Sequence, residues 1–84
     1  MIRTLFVTPE FEDFVRVGGL ASVSAALPRA LKAKTDVRLI LPGYRALLPQ
    51  LNGLELVGQC PALGEMPACS IGLTMTHDGL PVYV

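Results

Sequence analysis

The 84-residue chain has no excess of charge of either sign, seven Lys and Arg standing against seven Asp and Glu. A balanced chain projects no broad field of the kind that selects nucleic acid or an anionic membrane, so neither is expected as a partner. Long apolar runs are also missing, because the stretch after Met1 is broken at Thr8, Pro9 and Glu10 well short of a bilayer's width. Together these absences lead us to expect a soluble, cytoplasmic protein. Cysteine is scarce, and Cys60 and Cys69 fit no close-spaced metal or redox motif. In a reducing compartment two such residues are expected to be buried free thiols, and a disulfide would require an oxidising one. The single histidine, His77, precedes Asp78 and Gly79 in a turn-like sequence and reads as an exposed turn residue rather than a base.

What the chain has in quantity is apolar surface. Hydrophobic residues make up 51% of it and charged residues 17%. For a chain so small, and therefore so rich in surface, part of that apolar area is expected to face a partner. Charge is unevenly placed. Arg29, Lys32, Lys34, Arg38 and Arg45 fall together with only Asp36 among them, and Glu10, Glu12 and Asp13 cluster upstream. The bases read as a solvated helix face with its neighbouring loops. The acids could be paired carboxylates for glycoside chemistry, but three so close together on a loop read as solvated.

Residues 4–8 (Thr-Leu-Phe-Val-Thr) have the β-branched, apolar character of a buried parallel strand and stop at Pro9. Residues 9–17 read as a strand-to-helix loop leading to Gly18 and Gly19. From Leu20 the apolar positions Val23, Leu27, Ala30 and Leu31 follow at helical spacing, and Pro28 is expected to bend that helix or divide it. Residues 36–41 form a second strand closed by Pro42 and Gly43. Strand, loop, helix and strand make a right-handed βαβ unit with parallel strands. Beyond Tyr44 the pattern predicts a short helical turn within 45–51 and strands over 54–60, 69–76 and 80–84, the last two joined by a hairpin turn at His77, Asp78 and Gly79. The fold class is α/β, a Rossmann-like βαβ start followed by mainly antiparallel strands. The final Pro-Val-Tyr-Val is β-like to its last residue, which reads as part of a longer polypeptide.

Chemistry concentrates in Arg16-Val17-Gly18-Gly19-Leu20. Amides at a helix start, with the positive end of its dipole, favour a phosphate or another anion; glycine permits close backbone approach, and Arg16 adds a full charge beside it. A turn that merely begins a helix would also use two glycines. In open α/β sheets this edge, at the carboxyl end of the strands, is where ligands bind.

Glu10, the Arg16–Val23 segment, Ala26-Leu27-Pro28-Arg29-Ala30-Leu31, Asp36-Val37-Arg38 and Leu41-Pro42-Gly43-Tyr44 come in an order that resembles the opening of glycogen and starch synthases, the retaining GT-B glycosyltransferases of family five. The likeness runs from Met1 to about Tyr44 and resumes at residues 79–84. It implies that residues 1–84 are a partial N-terminal GT-B domain without the C-terminal domain. It further implies an enzyme that transfers glucose from ADP-glucose to the non-reducing end of an α-1,4-glucan, with no metal or other cofactor. UDP-glucose is the alternative donor. In that family the first loop reads Lys-Thr-Gly-Gly-Leu and its lysine contacts the phosphate region of the donor. The resemblance carries this role to Arg16, with Gly18 and Gly19 giving close approach, and assigns no catalytic residue. Arginine replaces a compact ammonium by a planar fork, Val17 stands in place of threonine, and Ser22 in place of aspartate, where it keeps a hydrogen-bonding group but no charge. A fragment holding half of the donor site is expected to be inactive alone. The alternatives are a non-catalytic synthase-like module that binds a glucan or a protein, favoured by Val17 and Ser22, and a generic nucleotide-binding α/β domain.

Overall fold

The computed structural model describes residues 2–84. Five strands form one sheet: β1 (Arg3–Val7), β2 (Asp36–Ile40), β3 (Glu55–Cys60), β4 (Cys69–Met75) and β5 (Pro81–Tyr83), in the spatial order β1-β2-β5-β4-β3. One helix, α1 (Gly19–Leu31), and a short 3₁₀ turn, Leu48–Gln50, complete the fold. β1 pairs parallel with β2, from Arg3 opposite Asp36 to Val7 opposite Ile40, and β2 pairs parallel with β5. β4 runs antiparallel to both β5 and β3. The expected βαβ unit with mainly antiparallel strands after it is therefore what forms.

Alternation along β2 sets the layers. Val37 and Leu39 are buried on one face and Arg38 points out from the other. Val37, Leu39 and Leu41 join Leu80 and Val82 from β5 and its approach, Ala25 from α1, Phe11 from the β1–α1 loop and Leu47 from the β2–β3 connection in a single core. β1, expected as a buried strand, lies at the edge of the sheet with its other face open, Leu5 being 55% and Val7 74% exposed. On α1, Leu20, Val23 and Leu27 are exposed as well. The surplus of apolar residues thus lies on uncovered faces, as the composition led us to expect.

Three further local expectations need correction. Pro28 does not divide the helix, which is assigned without interruption to Leu31. The helix runs through the position despite the missing amide donor to the Ser24 carbonyl, and the proline ring is fully buried. Arg29 is not on a solvated face: its side chain is 25% exposed and lies between two carboxylates. Cys60 and Cys69 are free thiols but exposed ones, because they lie at the end of the β3–β4 ladder, beyond the core.

The second hairpin follows its sequence signature closely. The Thr76 amide donates to the Leu80 carbonyl at 3.0 Å, the Gly79 amide to that of Thr76 at 3.0 Å, and Gly79 has φ 84°, the left-handed value that only glycine adopts at little cost.

Candidate functional site

Because β1 and β2 are parallel, their carboxyl ends emerge at one edge of the sheet, and the loops that follow them face each other. Between them lies an open cavity of about 580 Å³, with Glu10, Arg16 and Val17 on one side and Tyr44, Ala46 and Gln50 on the other. A volume in the range of 300–1,000 Å³ is roughly what a small-molecule site requires.

The loop that carries Arg16 is built tightly. Phe11 is buried, and its backbone exchanges hydrogen bonds with Val15 at 3.0 and 2.7 Å, closing a narrow turn. Its ring packs against Phe14 with centroids 5.6 Å apart. The Glu12 amide donates to the Ala21 carbonyl of α1 at 3.1 Å, and the buried Thr8 and Ser24 hydroxyls meet at 2.8 Å, so the loop is fastened to the helix at two points. Glu10 then turns inward along the chain. Its Oε1 accepts from the Val17 amide at 2.9 Å and from the Gly18 amide at 2.8 Å. A carboxylate bonded to two backbone donors at the positive end of a helix is a strong, charge-assisted contact. It fixes the approach to α1 and commits the Gly18 amide to the chain itself.

Gly18 has an extended backbone, φ −154° and ψ −158°, which any residue adopts. No atom of the chain lies within 4 Å of where a Cβ would stand on either Gly18 or Gly19. Neither conformation nor internal packing therefore requires glycine here; the pair keeps an open space beside the helix start, and the first turn of α1 holds no acidic residue. Arg16 lines the cavity on the loop that precedes this helix start, its side chain 67% exposed, with Nη1 3.2 Å from Glu12 Oε1. An exposed pair of this type is worth about 0–1 kcal/mol, so an incoming anion displaces Glu12 at small cost.

Behind the loop stands a second cationic group that holds rather than offers charge. The Arg29 guanidinium donates to both carboxylate oxygens of Asp13, at 3.1 and 2.8 Å, and to both of Asp78, at 2.8 and 3.2 Å. It also lies over the Phe11 ring at 5.3 Å. Asp78 is held well below the usual carboxylate range, first by the Arg29 hydrogen bonds and then by the Thr76 hydroxyl. Arg29 is raised above its ordinary value by Asp13 and Asp78 in turn. One side chain of α1 thus ties the Arg16-bearing loop to the β4–β5 turn.

Residues 3–84 match the starch synthase catalytic domain. The chain belongs to that family. It is 59% identical over 73 residues to glycogen synthase 1 of Bradyrhizobium diazoefficiens, covering 87% of this chain and 16% of that protein. It is 50% identical over 80 residues to a glycogen synthase of Xanthomonas oryzae pv. oryzae, covering 95% of this chain and again 16% of the relative. Among solved structures it is similar to the catalytic domain of starch synthase IV from Arabidopsis thaliana bound to ADP and acarbose, with a TM-score of 0.78, 25% identity, and coverage of 98% of this chain and 17% of that one. The chain therefore spans about a sixth of the length of the starch and glycogen synthases it matches. Its fold is the opening of the GT-B domain of this family.

The structure brings Arg16 to the cavity and sets Gly18 and Gly19 at the adjoining helix start. His77 is exposed in its turn. Tyr44 lines the cavity at 41% exposure. Ser22 is half-buried on the first turn of α1. The residues that the sequence reading misplaced are Glu10 and Asp13, both taken for solvated acids. Two adjacent amides seven and eight positions after Glu10 are a pairing that only the folded loop reveals.

Proposed function

We propose that this chain forms the donor-side loop of a retaining glycosyltransferase that moves glucose from ADP-glucose to the non-reducing end of an α-1,4-glucan. What supports the reading is Arg16: an exposed, weakly held guanidinium on the cavity between the loops that follow two parallel strands, two residues before a glycine pair in the sequence. Membership of the starch synthase family and a relative bound to ADP support the donor diphosphate as the partner of that charge.

Arg16 would neutralise charge accumulating on the departing diphosphate, a contribution that grows as domain closure excludes water. Gly18 and Gly19 would let the phosphate come close to the backbone. Since the Gly18 amide already serves Glu10, Glu10 acts as the internal brace of the loop and leaves the Arg16 side chain to meet the ligand. The remainder of a synthase-length polypeptide would supply the other wall of the donor site and cover the open face of β1, in a protein that works in the cytoplasm.

Transfer assays test this reading. The 84-residue chain alone is expected to incorporate no glucose from ADP-glucose into glycogen. In a polypeptide extended to the length of its relatives, Arg16→Ala is expected to lower kcat/KM by on the order of 10²-fold, and Arg16→Lys to restore most of it. Wild-type kinetics in Arg16→Ala would remove the residue from the site.

A further inference from the structure

Cys60 closes β3 and Cys69 opens β4, and the two are directly opposite in the antiparallel register. Directly opposed residues of such a ladder have Cα atoms roughly 4.5–5.5 Å apart and side chains on the same face. That spacing lies inside the roughly 4.4–6.8 Å window in which two cysteines are bridged without moving the backbone. Both thiols are free and exposed. They share an open cavity of about 440 Å³ at the end of the ladder with Gln59, Pro61, Ala68 and Ser70. No carboxylate or histidine lines it, and no cluster of three metal-ligating residues exists among the described residues. The arrangement therefore suits sulfur–sulfur chemistry better than a metal ion.

We propose that Cys60 and Cys69 form a reversible oxidation site that exchanges with low-molecular-weight disulfides such as oxidised glutathione to give an intrachain disulfide. In the first step the thiolate of one cysteine, its proton released to water, attacks a sulfur of the small disulfide. A mixed disulfide forms and one equivalent of the small thiolate leaves. In the second step the other cysteine, deprotonated in turn, attacks the protein sulfur of that mixed disulfide. The Cys60–Cys69 bond forms and the second small thiolate departs, so that two protein thiols are oxidised and one small disulfide is reduced to two thiols. The resulting bond would close the turn over residues 61–68 and lock β3, the edge strand of the sheet, to β4. The inference is independent of the sugar-nucleotide reading.

The test is equilibration of the 84-residue chain in glutathione buffers of graded redox poise, acid quenching, alkylation and intact mass. The expected product is a monomer lighter by about 2 Da that takes no alkylating group, with peptide mapping joining Cys60 to Cys69. Cys60→Ser is expected to stop the reaction at a persistent glutathione adduct on Cys69, since its resolving partner is gone. Because both positions are exposed, the serine variants keep the fold, and circular dichroism checks that they do. Two alkylated thiols at every poise, stable adducts on both cysteines of the wild type, or a disulfide-linked dimer would each overturn the proposal.

Discussion

In β2 the alternate residues Val37 and Leu39 are buried, whereas along β3 five of six residues are exposed and only Gly58 is half-covered. β2 is paired on both sides, by β1 and β5, whereas β3 lies at the edge of the sheet, paired only with β4 and irregular between Leu56 and Gly58; the two differ also in whether anything covers a face. The βαβ half has α1 and the folded 9–17 loop over it, and the hairpin of β3 and β4 has no helix. The parallel half consequently holds most of the core together with the candidate site, while the hairpin hangs from β5 by ladder bonds and meets the site loop through Arg29. The better-covered half is the one that carries Arg16, and the edge of the sheet carries the exposed Cys60 and Cys69.

Truncation of a side chain in each half breaks the comparison most directly. Phe11→Ala, which removes a fully buried ring from the loop, is expected to cost about 3–5 kcal/mol in chemical denaturation. Leu56→Ala on β3, where the side chain is 60% exposed, is expected to stay within about 0.5 kcal/mol. Equal losses would mean that the hairpin contributes to the core as much as the βαβ unit does.

Arg29 joins the halves, and its removal separates them. Arg29→Met keeps the apolar stem and discards the bonds to Asp13 and Asp78, for a loss on the order of 1–2 kcal/mol given partial exposure. The same link has a pH signature. A carboxyl depressed in the folded state contributes stability that is fully present above its unfolded value, about pH 3.9, and is lost as pH falls through the lower folded value. The melting temperature of the wild type should therefore decline below about pH 4 by an amount that Asp78→Asn, already less stable at neutral pH, does not show. Parallel curves for the two proteins would deny Asp78 that role.

A further effect is expected within the hairpin. A Cβ on Gly72 would come 2.7 Å from Cδ1 and 2.9 Å from Cγ of Leu54, so the branched end of that 40% exposed side chain must move aside. Gly72→Ala should cost about 1 kcal/mol, and Leu54→Ala in the same chain should recover most of it. A failure of that rescue would show that the backbone, rather than the leucine, resists the change.

The order of elements was legible because proline and glycine punctuate this chain at the places where strands stop: Pro9 after β1, Pro42 and Gly43 after β2, Gly79 in the last turn. Helical spacing from Leu20 to Leu31 marked α1 but not its buried face, which is Ala21, Ser24, Ala25 and Pro28 while Leu20, Val23 and Leu27 are exposed, and the motif around Gly18 and Gly19 pointed to the family. The internal order of the 9–17 loop was not legible. Its decisive contacts, Glu10 with the amides of Val17 and Gly18 and Asp13 with Arg29, join positions with no periodic relation. The Arg29–Asp78 pair spans 49 residues, and local pattern carries no trace of it. The cysteines were expected inside on composition alone; the ladder end at which they sit has no core to enter.

The central claim is that Arg16 meets the diphosphate of the donor, and the affinity for ADP of a synthase-length form of this chain tests it most directly by calorimetry. Arg16→Ala is expected to weaken ADP binding about tenfold or more, through loss of one charge-assisted contact of about 1.4 kcal/mol or greater. An affinity equal to that of the wild type would contradict the account.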